Sequence, residues 1–75
     1  MEMVIPEGGA AAGRSLRDLS VRSVTGATVI AIERNGERLA DPGSTPLAFG
    51  DVLLVMGEED QIARARAMLS GDAGR

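Results

Sequence analysis

The sequence predicts a small α+β domain whose elements follow the order strand, helix, three strands, helix. Five consecutive apolar residues, Val52–Met56, lie between a Gly-Asp turn and three acids, which is typical of a buried strand. Asn35–Gly36 is the strongest short signal for a hairpin, because a type I′ turn needs two residues at positive φ. Apolar residues from Ile62 to Leu69 recur at helical spacing. These three patterns place both kinds of secondary structure within 75 residues.

The first strand is predicted at the very start of the chain. Residues 1–5 alternate in polarity and are rich in strand formers, and Pro6 ends the run because proline cannot donate to a ladder. A strand that begins so close to Met1 indicates a module taken from a longer chain.

The first helix follows a loop of glycines and alanines. Ser15 is predicted to be its N-cap, with Leu16 and Leu19 on one face. Ser20 is predicted to cap a further turn, and Gly26 ends the helical segment.

The next two strands form the predicted hairpin. The second strand covers Ala27–Ile32, the turn is Asn35–Gly36, and the third strand covers residues 37–40. Both faces of the second strand are largely apolar, so both are expected to be covered. Strict alternation places Thr28, Ile30 and Ile32 on one face and Ala27, Val29 and Ala31 on the other.

The C-terminal part is predicted to hold the fourth strand and the second helix. Residues 41–46 form a proline-containing loop, and Gly57 ends the strand Val52–Met56. Three acids then open the helix, where carboxylates favour the positive end of the dipole. The domain is predicted to span residues 1–70, with residues 71–75 as a disordered tail. The apolar stripe of the helix is Ile62, Ala65, Met68 and Leu69.

Composition indicates that this domain pairs with a second copy of itself. A chain of 75 residues buries only about 60% of its unfolded surface, so its core is marginal. There is no Cys for a disulfide and no Cys or His for a structural zinc, and Phe49 is the one aromatic residue. A partner chain is the remaining common means of stabilising so small a domain.

Charge and residue inventory argue against several classes of function. The net charge is −3, all eight basic residues are arginines, and base-stacking aromatics are nearly lacking, so no nucleic-acid partner is expected. No apolar run approaches the ~18 residues of a membrane span. The sequence contains no His, Cys or Tyr, so it lacks most of the side chains that serve as general acids, general bases or nucleophiles. The chain is therefore not expected to be an enzyme.

Three local features carry both a functional and a purely structural interpretation. For the acids at 58–60 the alternatives are a divalent-ion site and the start of a helix with a solvated face, and their spacing favours the helix start. For the glycines of residues 8–13 the alternatives are a phosphate-binding loop and a flexible connection, and the connection is favoured because no phosphate-loop motif is complete. Arg22 lies between the helix and the second strand, where it either binds a carboxylate or phosphate or forms a surface or intersubunit ion pair.

An ordered set of residues resembles the C-terminal RCK module, also called TrkA-C. The stretches that carry the resemblance are GRSLRDLSVRSVTGATVIAIERNG, a loop proline, and LAFGDVLLVMGEEDQI. They run over residues 2–69. The matching positions are Gly13, Ser15, Leu16, Leu19, Val21, Arg22, Gly26, Ile32, Arg34, Gly36, Pro42, Leu47, Gly50, Asp51, Leu53 and Gly57.

The resemblance implies a β-α-β-β-β-α domain that pairs as a homodimer. It implies a mainly antiparallel four-stranded sheet with two helices on one face, and a partner subunit over the other apolar face. The implied function is that of a cytosolic regulatory module of potassium channels or cation/proton antiporters, attached to an inner-membrane transporter. Some members bind cyclic di-AMP, a nucleotide second messenger, at the dimer interface.

The ligand pocket of such members, carried over to this chain, predicts six contact residues. The best-known binders carry Asn where Thr28 stands and a His in the loop region, and this chain has no His. A structural dimerisation module without a small ligand is therefore the alternative. The six predicted ligand-binding residues are Leu16, Arg22, Ala27, Thr28, Val29 and Pro42.

Overall fold

A computed structural model describes residues 1–70; the predicted disordered tail, residues 71–75, lies outside the described part. The predicted α+β architecture is confirmed. A four-stranded antiparallel sheet has the strand order β1-β4-β2-β3. Within residues 1–70, no helix is long and apolar enough to cross a bilayer. The elements are β1 Glu2–Val4, α1 Leu16–Leu19, α2 Val21–Thr25, β2 Thr28–Arg34, β3 Glu37–Arg38, β4 Val52–Met56 and α3 Glu59–Ser70.

The first predicted helix is two short helices separated by Ser20. Ser15 caps α1 as predicted, since its Oγ accepts a hydrogen bond from the Asp18 N–H at 3.1 Å. Ser20 adopts the left-handed conformation with φ 52° and ψ 44°, and its side chain makes no capping hydrogen bond. Ser20 is therefore the N-cap residue of α2, as predicted, but it caps the helix by its position and not through its hydroxyl group. Gly26 ends α2 with φ 81°, as predicted.

The hairpin between β2 and β3 has the predicted turn but a shorter return strand. Asn35 and Gly36 have φ values of 56° and 82°, the positive pair that a type I′ turn requires. β3 covers only Glu37–Arg38 instead of 37–40. One more backbone hydrogen bond, from the Leu39 N–H to the Ile32 carbonyl at 2.9 Å, continues the contact.

A β-bulge in β2 changes which side chains face the helices. The register runs Val29 opposite Val55, then Ala31 opposite Leu54 and Ile32 opposite Leu53, which leaves Ile30 without a partner in the ladder. The prediction that Ile30 and Ile32 share a face is therefore wrong. The extra residue brings Ile32 to the face that Val29 also occupies.

The core lies between the sheet and the helices on this face. β4 is a central strand, and its side chains divide as neighbours on a strand must. Leu53 is fully buried under the helices, whereas Leu54 lies on the opposite face and is half-buried. The predicted apolar stripe of α3 packs into the same core. The buried cluster contains Met3, Ile5, Ala11, Leu16, Val21, Ala27, Ile32, Leu47, Leu53, Val55, Ala65 and Leu69.

The opposite face of the sheet exposes large apolar side chains. Val4 of β1 and Met56 of β4 are 55% and 60% exposed, and Leu54 lies between them at the level of Ala31. Ile30, at the bulge, is 45% exposed. Glu2 and Glu33 share this face, which therefore combines exposed apolar and acidic side chains. Exposed apolar groups clustered on a small domain mark an interaction surface.

Candidate functional site

An open pocket of about 470 Å³ lies where the two short helices, the start of β2 and a loop meet. Three separate chain segments build its walls, so no single stretch of sequence reveals it. The pocket brings together all six residues predicted from the resemblance, namely Leu16, Arg22, Ala27, Thr28, Val29 and Pro42. It is also lined by Arg17, Val21 and Gly43, which the sequence reasoning missed although each adjoins a predicted residue in the chain.

The end of α2 is fixed to the start of β2 by one threonine. The hydroxyl of Thr25 donates to the Val21 carbonyl at 2.7 Å and accepts from the Ala27 N–H at 3.1 Å. Thr25 is almost fully buried, so this pair of hydrogen bonds is shielded from water. It sets the angle between the helix that carries Arg22 and the strand that lines the pocket floor.

The loop that contains Pro42 is held against α1. The Arg17 N–H donates to the Gly43 carbonyl at 3.0 Å, which joins the first turn of α1 to the loop. Within the loop, the Thr45 hydroxyl donates to the Asp41 carbonyl at 2.7 Å. The rim of the pocket is therefore held by backbone and threonine hydrogen bonds.

The charges around the pocket differ in sign from those of the whole chain. The chain carries eleven acids and eight arginines, yet the pocket lining contains Arg17, Arg22 and no acidic residue. Both arginines are exposed, and neither forms an ion pair with any of the residues 1–70. The other lining residues are mainly apolar. The arrangement suits a ligand with flat apolar parts and a negative charge.

Arg34 and Asp51, two positions of the resemblance, form an ion pair outside the pocket. Nε and Nη2 of Arg34 donate to the two carboxylate oxygens of Asp51 at 2.8 and 2.7 Å. The buried carboxylate also accepts from the Ala48 N–H at 2.9 Å, and Nη2 also donates to the Pro46 carbonyl at 2.9 Å. The pair joins the end of β2 to the turn before β4, so its role is structural.

This ion pair makes a pH-dependent contribution to stability. The hydrogen bonds from Arg34 hold the pKa of Asp51 below its ordinary value, and the Ala48 N–H lowers it further. Since the pKa of Asp51 is lower in the folded than in the unfolded state, the stabilisation is complete above the unfolded value of about 3.9. It is lost as the pH falls through the lower folded pKa.

The variant Asp51→Asn is therefore expected to lose stability at pH 7 but to approach the parent below about pH 4. Urea unfolding of both proteins from pH 7 to pH 2.5 measures the difference in the free energy of unfolding. Asp60→Asn removes a carboxylate from the exposed pair with Arg64 and is the matched control, which should differ little from the parent. If the difference in the free energy of unfolding between Asp51→Asn and the parent stays constant down to pH 2.5, the proposed role of the ion pair is contradicted.

The edge of β2 beside the pocket is open. β3 pairs only with Glu33 and Arg34 at the far end of β2. Within residues 1–70, no strand pairs with the outer edge of β2 at residues 28–31. Unpaired backbone groups on a sheet edge are available to another chain. The open edge, the pocket and the exposed apolar face thus meet at the start of β2.

The sequence profile of the TrkA-C domain family matches residues 1–70. The chain belongs to the TrkA-C domain family. An uncharacterized transporter of Rhodopirellula baltica is 35% identical over 52 residues, which are 69% of this chain but only 10% of the transporter. The chain therefore corresponds to about a tenth of that relative.

Solved structures of RCK_C domains resemble this TrkA-C domain closely. The RCK_C domain dimer of S. agalactiae BusR in complex with c-di-AMP has a TM-score of 0.81 and 30% identity, and the match covers 92% of this chain and 86% of that one. The RCK C domain of the potassium transport protein KtrA, also in complex with c-di-AMP, has a TM-score of 0.76 and 32% identity, covering 85% and 74%. S. agalactiae BusR bound to promoter DNA has a TM-score of 0.81 and 30% identity, and the match covers 92% of this chain but 34% of that longer one.

Proposed function

We propose that this TrkA-C domain is a cytosolic, non-catalytic regulatory module of a potassium or cation/proton transport system. In this proposal it binds a nucleotide second messenger, with cyclic di-AMP as the first candidate, at the interface of a homodimer. The single observation that carries the proposal is a pocket with mainly apolar walls and two arginines that form no ion pair within residues 1–70. A dianionic dinucleotide needs cations for its phosphates, apolar walls for its bases and nearby backbone amides.

Similar proteins support both the ligand and the dimer. The BusR structure is a dimer of this kind of domain with c-di-AMP, and the KtrA domain also holds c-di-AMP. In this chain, the second copy would cover the open edge of β2 and the apolar surface beside it. Burial of that surface would stabilise a domain whose own core is marginal.

The domain is accordingly expected to be a dimer in solution. Light scattering at micromolar concentration should give twice the chain mass of 7.8 kDa. Placing a charge on the apolar face, with Met56→Glu, should shift the protein toward the monomer, because a buried unpaired charge is costly. Ala63→Glu, on an exposed position of α3, is the control and should leave the dimer intact. A parent mass of 7.8 kDa at these concentrations would rule the dimer out.

Ligand binding would affect the transport domain by changing the relative orientation of the two subunits of the dimer. A ligand that lies across the interface changes this orientation only if it binds one arrangement better than another. The pocket is formed by a loop, two single-turn helices and a strand end, which are short elements whose relative positions a ligand can bias. The resulting change in the dimer would then alter the activity of the attached transporter.

A structural dimerisation module without a small ligand is the second candidate, favoured by Thr28 in place of the Asn of known binders. Thermal unfolding with cyclic di-AMP, cyclic di-GMP, ATP and NAD separates the two candidates. A rise in the melting temperature with cyclic di-AMP alone supports the sensor. A melting temperature that stays constant with every nucleotide would favour the structural module.

The identity of the whole protein is part of the proposal. The transporter of R. baltica favours a transport protein, whereas the BusR complex shows that a similar domain also belongs to a protein that binds DNA. The BusR match leaves about two thirds of that chain unmatched, and the negative charge of this domain makes it a poor DNA surface. We therefore assign no nucleic-acid partner to this domain itself.

A further inference from the structure

Arg17, the second arginine of the pocket, lies against the loop that contains Pro42 and Gly43. Its backbone N–H is bonded to the Gly43 carbonyl. Its guanidinium lies over the same glycine, since a methyl group added at Gly43 would stand 3.9 Å from Nη2 of Arg17. The side chain therefore lies at the rim formed by the Pro42–Gly43 loop, whereas Arg22 projects from α2.

The break at Ser20 is what allows both arginines to line one pocket. On a continuous α-helix, positions five apart are separated by about 140° around the axis, so Arg17 and Arg22 would face different directions. The left-handed conformation of Ser20, with φ 52°, ends α1 and starts α2 in a new direction. Both side chains consequently contribute to the same cavity.

The charge distribution indicates that these two cations have an anion to bind. The residues lining the pocket include no acid, in a chain with a net charge of −3. Asp41 lies in the loop beside Arg17, and its Oδ1 would stand 4.0 Å from the same added methyl group at Gly43. Asp41 forms no ion pair with Arg17 among the residues 1–70, so its carboxylate offsets the charge of Arg17 only in part.

We propose that Arg17 is a second phosphate-binding residue of the pocket and that, with Arg22, it selects ligands that carry two phosphate groups. This inference rests on the proposed nucleotide-binding function and adds to it a residue and a charge requirement. In a dimer with one ligand across the interface, Arg17 of α1 and Arg22 of α2 in each copy would contact one of the two phosphates of the dinucleotide. A ligand with a single phosphodiester would leave the two guanidinium groups of one copy without a partner.

Calorimetric titration of cyclic di-AMP into single variants tests the role of Arg17. Arg17→Ala is expected to weaken binding at least about tenfold, the scale of a lost charge-assisted hydrogen bond. Arg17→Lys should recover part of the affinity, because it keeps the charge but not the planar fork. Asp41→Asn should change affinity in the opposite direction and tighten binding. Arg14→Ala removes the same charge three positions earlier, outside the pocket lining, and should bind like the parent.

The outcomes separate this inference from the proposed function. If the parent binds cyclic di-AMP and Arg17→Ala binds it equally well, Arg17 is not a ligand contact and the inference is overturned while the proposed function stands. A second measurement follows the Nε–H signals of Arg17 and Arg22 by NMR during titration with pyrophosphate. If the domain does not bind cyclic di-AMP but pyrophosphate shifts both arginine signals, the two-cation site is supported and the proposed ligand is contradicted. If the domain does not bind cyclic di-AMP and pyrophosphate shifts neither signal, both the inference and the proposed function are overturned.

Discussion

Replacing Leu53 by alanine is expected to destabilise the domain by about 2–5 kcal/mol. Leu53 is fully buried on the central strand β4, where its register partners are Met3 of β1 and Ile32 of β2. Truncation leaves a cavity in the main core between sheet and helices, and a short domain has few other contacts with which to fill it. Urea unfolding, monitored by circular dichroism, measures the loss.

Leu54→Ala is the matched comparison, because it removes the same atoms from the next position. Leu54 is half-buried on the opposite face of the sheet, so its truncation should cost less at low protein concentration. If a second copy covers this face, the cost should rise with concentration as the dimer forms. Equal stability of Leu53→Ala and the parent would contradict the position of Leu53 in the core.

Arg22→Ala is expected to weaken the binding of cyclic di-AMP about 30- to 140-fold, which corresponds to about 2–3 kcal/mol. Arg22 lines the pocket, is exposed and forms no ion pair among the residues 1–70, so the fold does not depend on its charge. The melting temperature should therefore remain close to that of the parent. Lysine at this position should restore only part of the affinity, since it lacks the bidentate geometry of arginine.

Arg64→Ala is the control for this variant. Arg64 is an exposed arginine of α3 that pairs with Asp60 at 3.3 Å, and it does not line the pocket. Its removal should change neither cyclic di-AMP affinity nor the melting temperature appreciably. Equal affinity of Arg22→Ala and the parent would remove Arg22 from the ligand site.

The elements that sequence analysis predicted are those with a local physical signal. Asn35–Gly36 predicts the turn because few residues adopt positive φ at two consecutive positions, and both have it. Ser15 predicts the start of α1 because its hydroxyl accepts a backbone hydrogen bond that the helix cannot satisfy internally. The buried strand β4 has the predicted bounds, Val52–Met56, because glycine-containing turns flank an uninterrupted apolar run.

The bulge at Ile30 and the left-handed conformation of Ser20 lack such a signal. Both faces of β2 are apolar, so no polar residue marks the point at which the alternation shifts. The sequence predicted a further turn starting at Ser20, but not its left-handed conformation, which is uncommon for residues other than glycine. The break between α1 and α2 nevertheless determines which side chains line the pocket, because it brings Arg17 into the pocket beside Arg22.

The pocket residues were predicted from the resemblance to a family and not from residue patterns. Three segments distant in sequence contribute to the pocket, and tertiary packing alone brings them together. Membership in the family pattern does not by itself indicate a role in ligand binding. Arg34 and Asp51 belong to the same pattern, but the hydrogen bonds between them stabilise the fold.

The stoichiometry of cyclic di-AMP binding tests the central claim most directly. Calorimetric titration of the purified domain, at a concentration where light scattering reports the dimer, gives the number of ligands per chain. A ligand that lies across the interface predicts one cyclic di-AMP per two chains, with binding that weakens in Met56→Glu if that variant is monomeric. One ligand per chain with unchanged affinity in the monomer, or no binding at millimolar ligand, would contradict a sensor site at the dimer interface.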